Sequence, residues 1–192
     1  MKKQTIAILI RQACFLPLYY LVPLLVAGSL VTDYNQVGQH ASEINIAEYG
    51  NTKNWISIMC FAVGTSYVLF SIGLLKNGWR NFGLIGVLFI LFGISMYNNS
   101  IYPIGSPMHG YYGIGILSIV TPFLILAQNG NNDFTNETIT LIKTVGMLMI
   151  FYLWILFSEL DPGNLNALTK RLGAPLFYGW TACLAYILTQ KS

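Results

Sequence analysis

Few side chains in this sequence can do chemistry, and most of those cluster in three polar stretches between apolar runs. His40 and Glu43 lie three residues apart in the stretch 34–45, which has the pattern of a short amphipathic helix. On a helix that spacing puts both on one face. The carboxylate would then orient the imidazole for acid–base work, or the pair would offer two ligands to a metal. A solvated loop with incidental polar residues accounts for the same letters. His109 follows a Pro-Ile-Gly-Ser-Pro turn and opens an apolar run. An imidazole titrates nearest neutrality of all side chains, so it serves as base, ligand or proton sensor, and equally as a simple bond to a loop carbonyl. Glu43 and His109 are therefore the catalytic candidates. In the third stretch, Ser158-Glu-Leu-Asp-Pro-Gly163 carries two acids and Arg171 follows. An ion pair of Glu159 or Asp161 with Arg171 would tie two helix ends together; alternatively the guanidinium fork would grip an anion or a lipid phosphate. Ser42, Glu43, Tyr102, His109, Glu159 and Arg171 form the expected ligand-binding set. His40, His109 and Asp161 are the residues a metal would use, but their spacing matches no metal motif and no metal is expected.

Other chemistries lack their signatures. The sequence has no GxSxG elbow, HExxH, phosphate-binding Walker loop or GxGxxG fingerprint, and no cofactor is expected. Cys14, Cys60 and Cys183 each fall within an apolar run and form no CxxC, as buried inert thiols do. No basic run interleaved with aromatics suggests nucleic acid.

Segments that would position the candidates follow from hydropathy. Of 192 residues, 55% are hydrophobic and 9% charged, where soluble domains carry charge on roughly a quarter. So little charge suits a chain whose solvent is mostly lipid. Apolar runs at about 13–32, 55–75, 82–97, 111–127, 139–157 and 174–190 are near the ~20 residues a helix needs to cross the hydrocarbon. The third and fourth are short and should extend into their polar flanks. Consecutive apolar positions such as 84–91 exclude the alternation of a membrane β-barrel. The expected fold is an all-α integral membrane protein with about six transmembrane helices in a single bundle, one domain over 1–192. Lys2, Lys3, Arg11, Lys76, Arg80, Lys143 and Lys191 gather toward the side of the termini, against Lys53, Lys170 and Arg171 opposite. This bias puts both termini in the cytoplasm of a cell-membrane protein. The candidates then lie on the extracytoplasmic loops, with both histidines and five of the seven acids. No ionisable residue is expected deep in a span, which argues against a pump or proton-coupled transporter. Gly64, Gly73, Gly83, Gly86, Gly93, Gly113 and Gly115 suit tight helix packing, including possible oligomerisation. Pro17, Pro23 and Pro122 are positions for kinks.

In order of features the chain resembles the bacterial and archaeal membrane proteins of the domain-of-unknown-function family numbered 998. The matching features are Ser42-Glu43 after Tyr34, the Tyr102-Pro103 pair with His109 downstream, and Lys170-Arg171 ahead of Trp180. The resemblance runs from the first span to the last. Members often carry an acid soon after the aromatic-Pro pair, where Ile104, Gly105 and Ser106 stand here. The resemblance implies a fold and a choice of residues, and no reaction.

The leading expectation is a non-catalytic bundle that binds a lipid or other amphiphile in a polar cleft at its extracytoplasmic end. The first alternative is a membrane-embedded hydrolase or transferase using Glu43 and His109, with or without a metal. The second is an accessory subunit of a larger membrane complex.

Overall fold

The computed structural model describes residues 3–32, 34–35, 39, 43–44, 52–102, 105–129, 134–158 and 166–190. Among them there is no strand, and six helical rods are long and apolar enough to cross a membrane. The first rod comprises α1 (Lys3–Arg11), a 3-10 turn (Gln12–Phe15) and α2 (Leu16–Leu30). It starts at Lys3, well before the expected residue 13, so Arg11 lies inside a span that was expected to hold no ionisable group. Ile6 to Ile10 continue the apolar pattern, with Ile10 buried against the bundle, while Arg11 stays exposed on the outside. The remaining spans are α3 (Thr52–Asn77), α4 (Trp79–Ile101), a 3-10 stretch (Pro107–Val120) running into α5 (Thr121–Asn129), α6 (Asn136–Phe157) and α7 (Asn166–Thr189). The third and fourth do extend into their polar flanks.

Two of the prolines tighten the chain locally. Pro17 has no N–H to offer the Ala13 carbonyl, which accepts from Leu16 instead, and the turn before it is 3-10. Pro122 likewise has none for the Ser118 carbonyl. That oxygen takes the Thr121 N–H and, at 2.7 Å, the Thr121 hydroxyl. The α3–α4 link needs only Gly78, whose carbonyl caps α4 by accepting from Asn81 and Phe82.

Each span packs on its neighbours in sequence, and the last also packs on the first. The bundle interior is aromatic: Tyr67 stacks on Phe92 at 4.3 Å, and Phe70, Phe89, Tyr178 and Phe177 extend the cluster. Several polar groups inside it are paired across helices, which spares them the cost of burial without water. Trp180 Nε1 donates to Thr121 Oγ1 at 2.9 Å, and the Tyr67 and Thr181 hydroxyls lie 3.0 Å apart. Gln12 donates to the Ser66 carbonyl at 2.9 Å and accepts from the Ser66 hydroxyl, locking the first span to α3.

The backbones of α3 and α4 approach each other closely. A Cβ built on Gly64 would lie 2.8 Å from the Gly93 carbonyl oxygen, and one on Gly93 would lie 2.9 Å from the Gly64 oxygen. Gly73, Gly86 and Gly115 also meet neighbouring helices, whereas Gly83 faces Trp79 of its own helix and Gly113 meets nothing within 4 Å.

Candidate functional site

The bundle has a terminal end, where α1 begins and α7 finishes, and a distal end that holds the described candidates Glu43, Tyr102, His109 and Arg171. Among the connections at the distal end, 30–52 is the longest, and α7 begins beside it. Arg171, in the first turns of α7, reaches across to that connection. Its Nη2 donates to the Tyr34 hydroxyl and, at 3.3 Å, to the Gln39 carbonyl. Its Cζ also lies 5.7 Å from the centroid of the Tyr34 ring, close enough for a cation–π attraction. Tyr34 is itself buried and donates to the Gln39 carbonyl at 3.2 Å. Gln39 is fixed at both ends, its N–H on the Asn35 carbonyl at 2.8 Å and its side-chain oxygen accepting from the Asn35 N–H at 2.6 Å. The guanidinium Nε is buried and has no hydrogen-bond partner. Pro175 contributes locally: lacking an N–H, it leaves the Arg171 carbonyl without its i+4 donor in the turn that carries the side chain.

His109 is positioned by a different device. Gly105 has φ +91, a left-handed conformation that favours glycine, and it turns the chain after α4. Ser106 then caps the new helix through Met108, Pro107 takes its first position, and the His109 N–H bonds the Ser106 carbonyl at 3.0 Å. The half-buried ring lies back against the end of α4, with Nδ1 2.8 Å from the Tyr102 carbonyl. A carbonyl only accepts, so Nδ1 carries the proton of this bond and the neutral ring keeps its lone pair on Nε2.

Of the ligand set expected from sequence, Arg171, His109, Tyr102 and Glu43 are described. Among the described residues, contacts join His109 to Tyr102 and Arg171 to Tyr34 and Gln39. Glu43 is half-buried, next to Ile44, which is fully buried. Ser42, His40, Glu159 and Asp161 lie outside the described residues. Among the described residues no three His, Cys, Asp or Glu side chains gather as a metal would need. No acid pairs with Arg171 among them either; its partners are a phenol and a carbonyl. Tyr34 and Gln39 were not singled out as ligand residues. The one signal was the aromatic placed at the end of the first span, since the contact to Arg171 bridges 137 residues.

A family model described as "Protein of unknown function (DUF998)" matches residues 14–187. The chain belongs to that family. The match extends over all six spans, as the resemblance of Ser42-Glu43, Tyr102-Pro103 and Lys170-Arg171 implies, and its description assigns no activity. No curated protein matches the chain. No solved structure matches it.

Proposed function

We propose that this protein of the DUF998 family binds a lipid or other amphiphile at the distal end of its bundle. On this reading the distal end is the extracytoplasmic face of a cell-membrane protein, with both termini in the cytoplasm. The observation that carries it is the grip of Arg171 on Tyr34 and Gln39. A cation, a phenol and a turn of backbone meet at the edge of an apolar, membrane-length bundle. An amphiphile has the matching anatomy, with its polar head against such a cluster and its chains along the helices. Ser42, Glu43, Glu159, Tyr102 and His109 complete the polar rim on this reading. Mass spectrometry of co-purified lipids tests it. Wild-type protein should retain a defined lipid, and the double variant Glu43→Ala/His109→Ala should retain less of it. An unchanged lipid profile in that variant, with Tyr34→Ala also unchanged, would refute the reading.

One observation favours an enzyme instead. The bond from His109 Nδ1 to the Tyr102 carbonyl presents Nε2 as the basic nitrogen, the state required of a general base or a metal ligand. A hydrolase or transferase built on Glu43 and His109 would use that state. Elemental analysis of the purified protein separates the variants of this idea, because a stoichiometric transition metal would favour the metal-dependent form.

A further inference from the structure

Among the described residues, the partners of Arg171 carry no charge to balance its own. Its Nη2 hydrogens go to the Tyr34 hydroxyl and the Gln39 carbonyl, and its flank lies near the Tyr34 ring, all of them neutral. Its Nε is buried with no acceptor. A buried N–H of a charged group loses its hydration and gains nothing in return, so such donors are normally paired. We infer that Arg171 receives an oxyanion, the phosphate or carboxylate of the bound molecule, on its Nε–H. This rests on the amphiphile reading above and specifies the head group.

Two donors would meet the anion once the atoms that now cover Nε give way. On a guanidinium the Nε–H lies beside one Nη hydrogen, and the pair matches two oxygens of a carboxylate or phosphate. Here Nη2 is occupied by Tyr34 and Gln39, and the Tyr34 hydroxyl in turn donates to the Gln39 carbonyl. A phenol hydrogen lies in the ring plane and can flip between two orientations, while its oxygen both donates and accepts. Turned from Gln39 toward an oxyanion on Nε, the hydroxyl becomes the second donor. Tyr34 thus holds the guanidinium before the anion arrives and helps hold the anion afterwards. Among the described residues no carboxylate pairs with Arg171.

Native mass spectrometry of the full chain in detergent tests this with three probes: phosphatidylglycerol, diacylglycerol and inorganic phosphate. Wild type should hold one phosphatidylglycerol at least tenfold more tightly than diacylglycerol, which has the same chains and no oxyanion. Arg171→Gln should lose that preference, and Arg171→Lys, which keeps the charge without the Nε donor, should weaken it several-fold. Tyr34→Phe should weaken it less than Arg171→Gln. Displacement of the lipid by millimolar phosphate would identify a site open to free oxyanions, while resistance to phosphate would assign the site to lipid head groups. Equal binding of phosphatidylglycerol and diacylglycerol by wild type would overturn the oxyanion and leave the amphiphile reading standing. That comparison needs no variant to fold. Binding of neither lipid would overturn both, and an unchanged preference in both Arg171 variants would overturn the role of this residue.

Discussion

Replacing Gly93 with valine puts the α3–α4 crossing under test. The two backbones meet through reciprocal contacts, each glycine facing the other's carbonyl oxygen at 2.8–2.9 Å from where a Cβ would stand, with Val68 Cγ2 also 2.9 Å from position 93. Ordinary contact begins near 3.4 Å, so a Cβ alone forces about half an ångström of separation, and the γ-carbons of valine demand more. The atoms in the way at both glycines include backbone oxygens, which cannot swing aside as a flexible side chain would. Overpacking of this kind costs about 1–3 kcal/mol, and the branched residue recovers little of it through helix propensity. A net loss near 2 kcal/mol corresponds to a midpoint lower by about 4–8 °C for a chain of this length. Gly113→Val is the matched control, because it adds the same atoms where nothing lies within 4 Å. Thermal unfolding in one detergent, followed by tryptophan fluorescence, should show a large drop for the first variant and little change for the second. Equal midpoints for the two variants would refute the claim that Gly64 and Gly93 set the helix separation.

The buried Trp180–Thr121 bond makes an asymmetric prediction. Thr121→Val strands the indole N–H in the core and should cost about 1–3 kcal/mol, whereas Trp180→Ala/Thr121→Val removes both partners, so its excess over Trp180→Ala should be smaller; the double-mutant cycle in thermal unfolding measures the difference. For His109, nitrogen-15 NMR of the labelled ring at alkaline pH should find the proton on Nδ1, and a ring protonated on Nε2 would contradict the bond to the Tyr102 carbonyl.

Much of the architecture was legible because its cause is local. A run of apolar residues long enough to cross a bilayer has few alternatives to a helix, and the six runs correspond to the six rods. The start of the first rod was not legible for an equally physical reason. Arg11 interrupts the hydropathy, yet a helix tolerates a cation on its outward face when the apolar residues before it, such as Ile10, are buried. Small residues were visible as a class, but the sequence does not distinguish Gly93, clasped against α3, from Gly113, which meets nothing. That difference lies in the crossing point of two helices. The same limit applied at the distal end. Arg171 stood out by type and position, while Tyr34 and Gln39 became its partners only when the two ends of the chain met. The ion pair considered for Arg171 involves Glu159 or Asp161, which lie outside the described residues.

Three cations in or beside the spans show why the distal one is singled out. Helical side chains lean toward the N-terminus of their own helix. Arg11 and Lys143 sit in α1 and α6, which both begin at the terminal end, and both are exposed on the outside of the bundle. Each can run its aliphatic stem along the apolar surface and place its charge toward the water beyond that end. Their positions are explained by solvation alone. Arg171 has the same lean toward the distal end where α7 begins, and the same route was open to it. Instead Nη2 is committed to Tyr34 and Gln39 of the neighbouring connection, and Nε is shut off from solvent without a partner. An N–H of a charged group that is buried without an acceptor costs free energy. A bound anion would supply the acceptor, so the deficit at Nε is the strongest mark of function on this molecule.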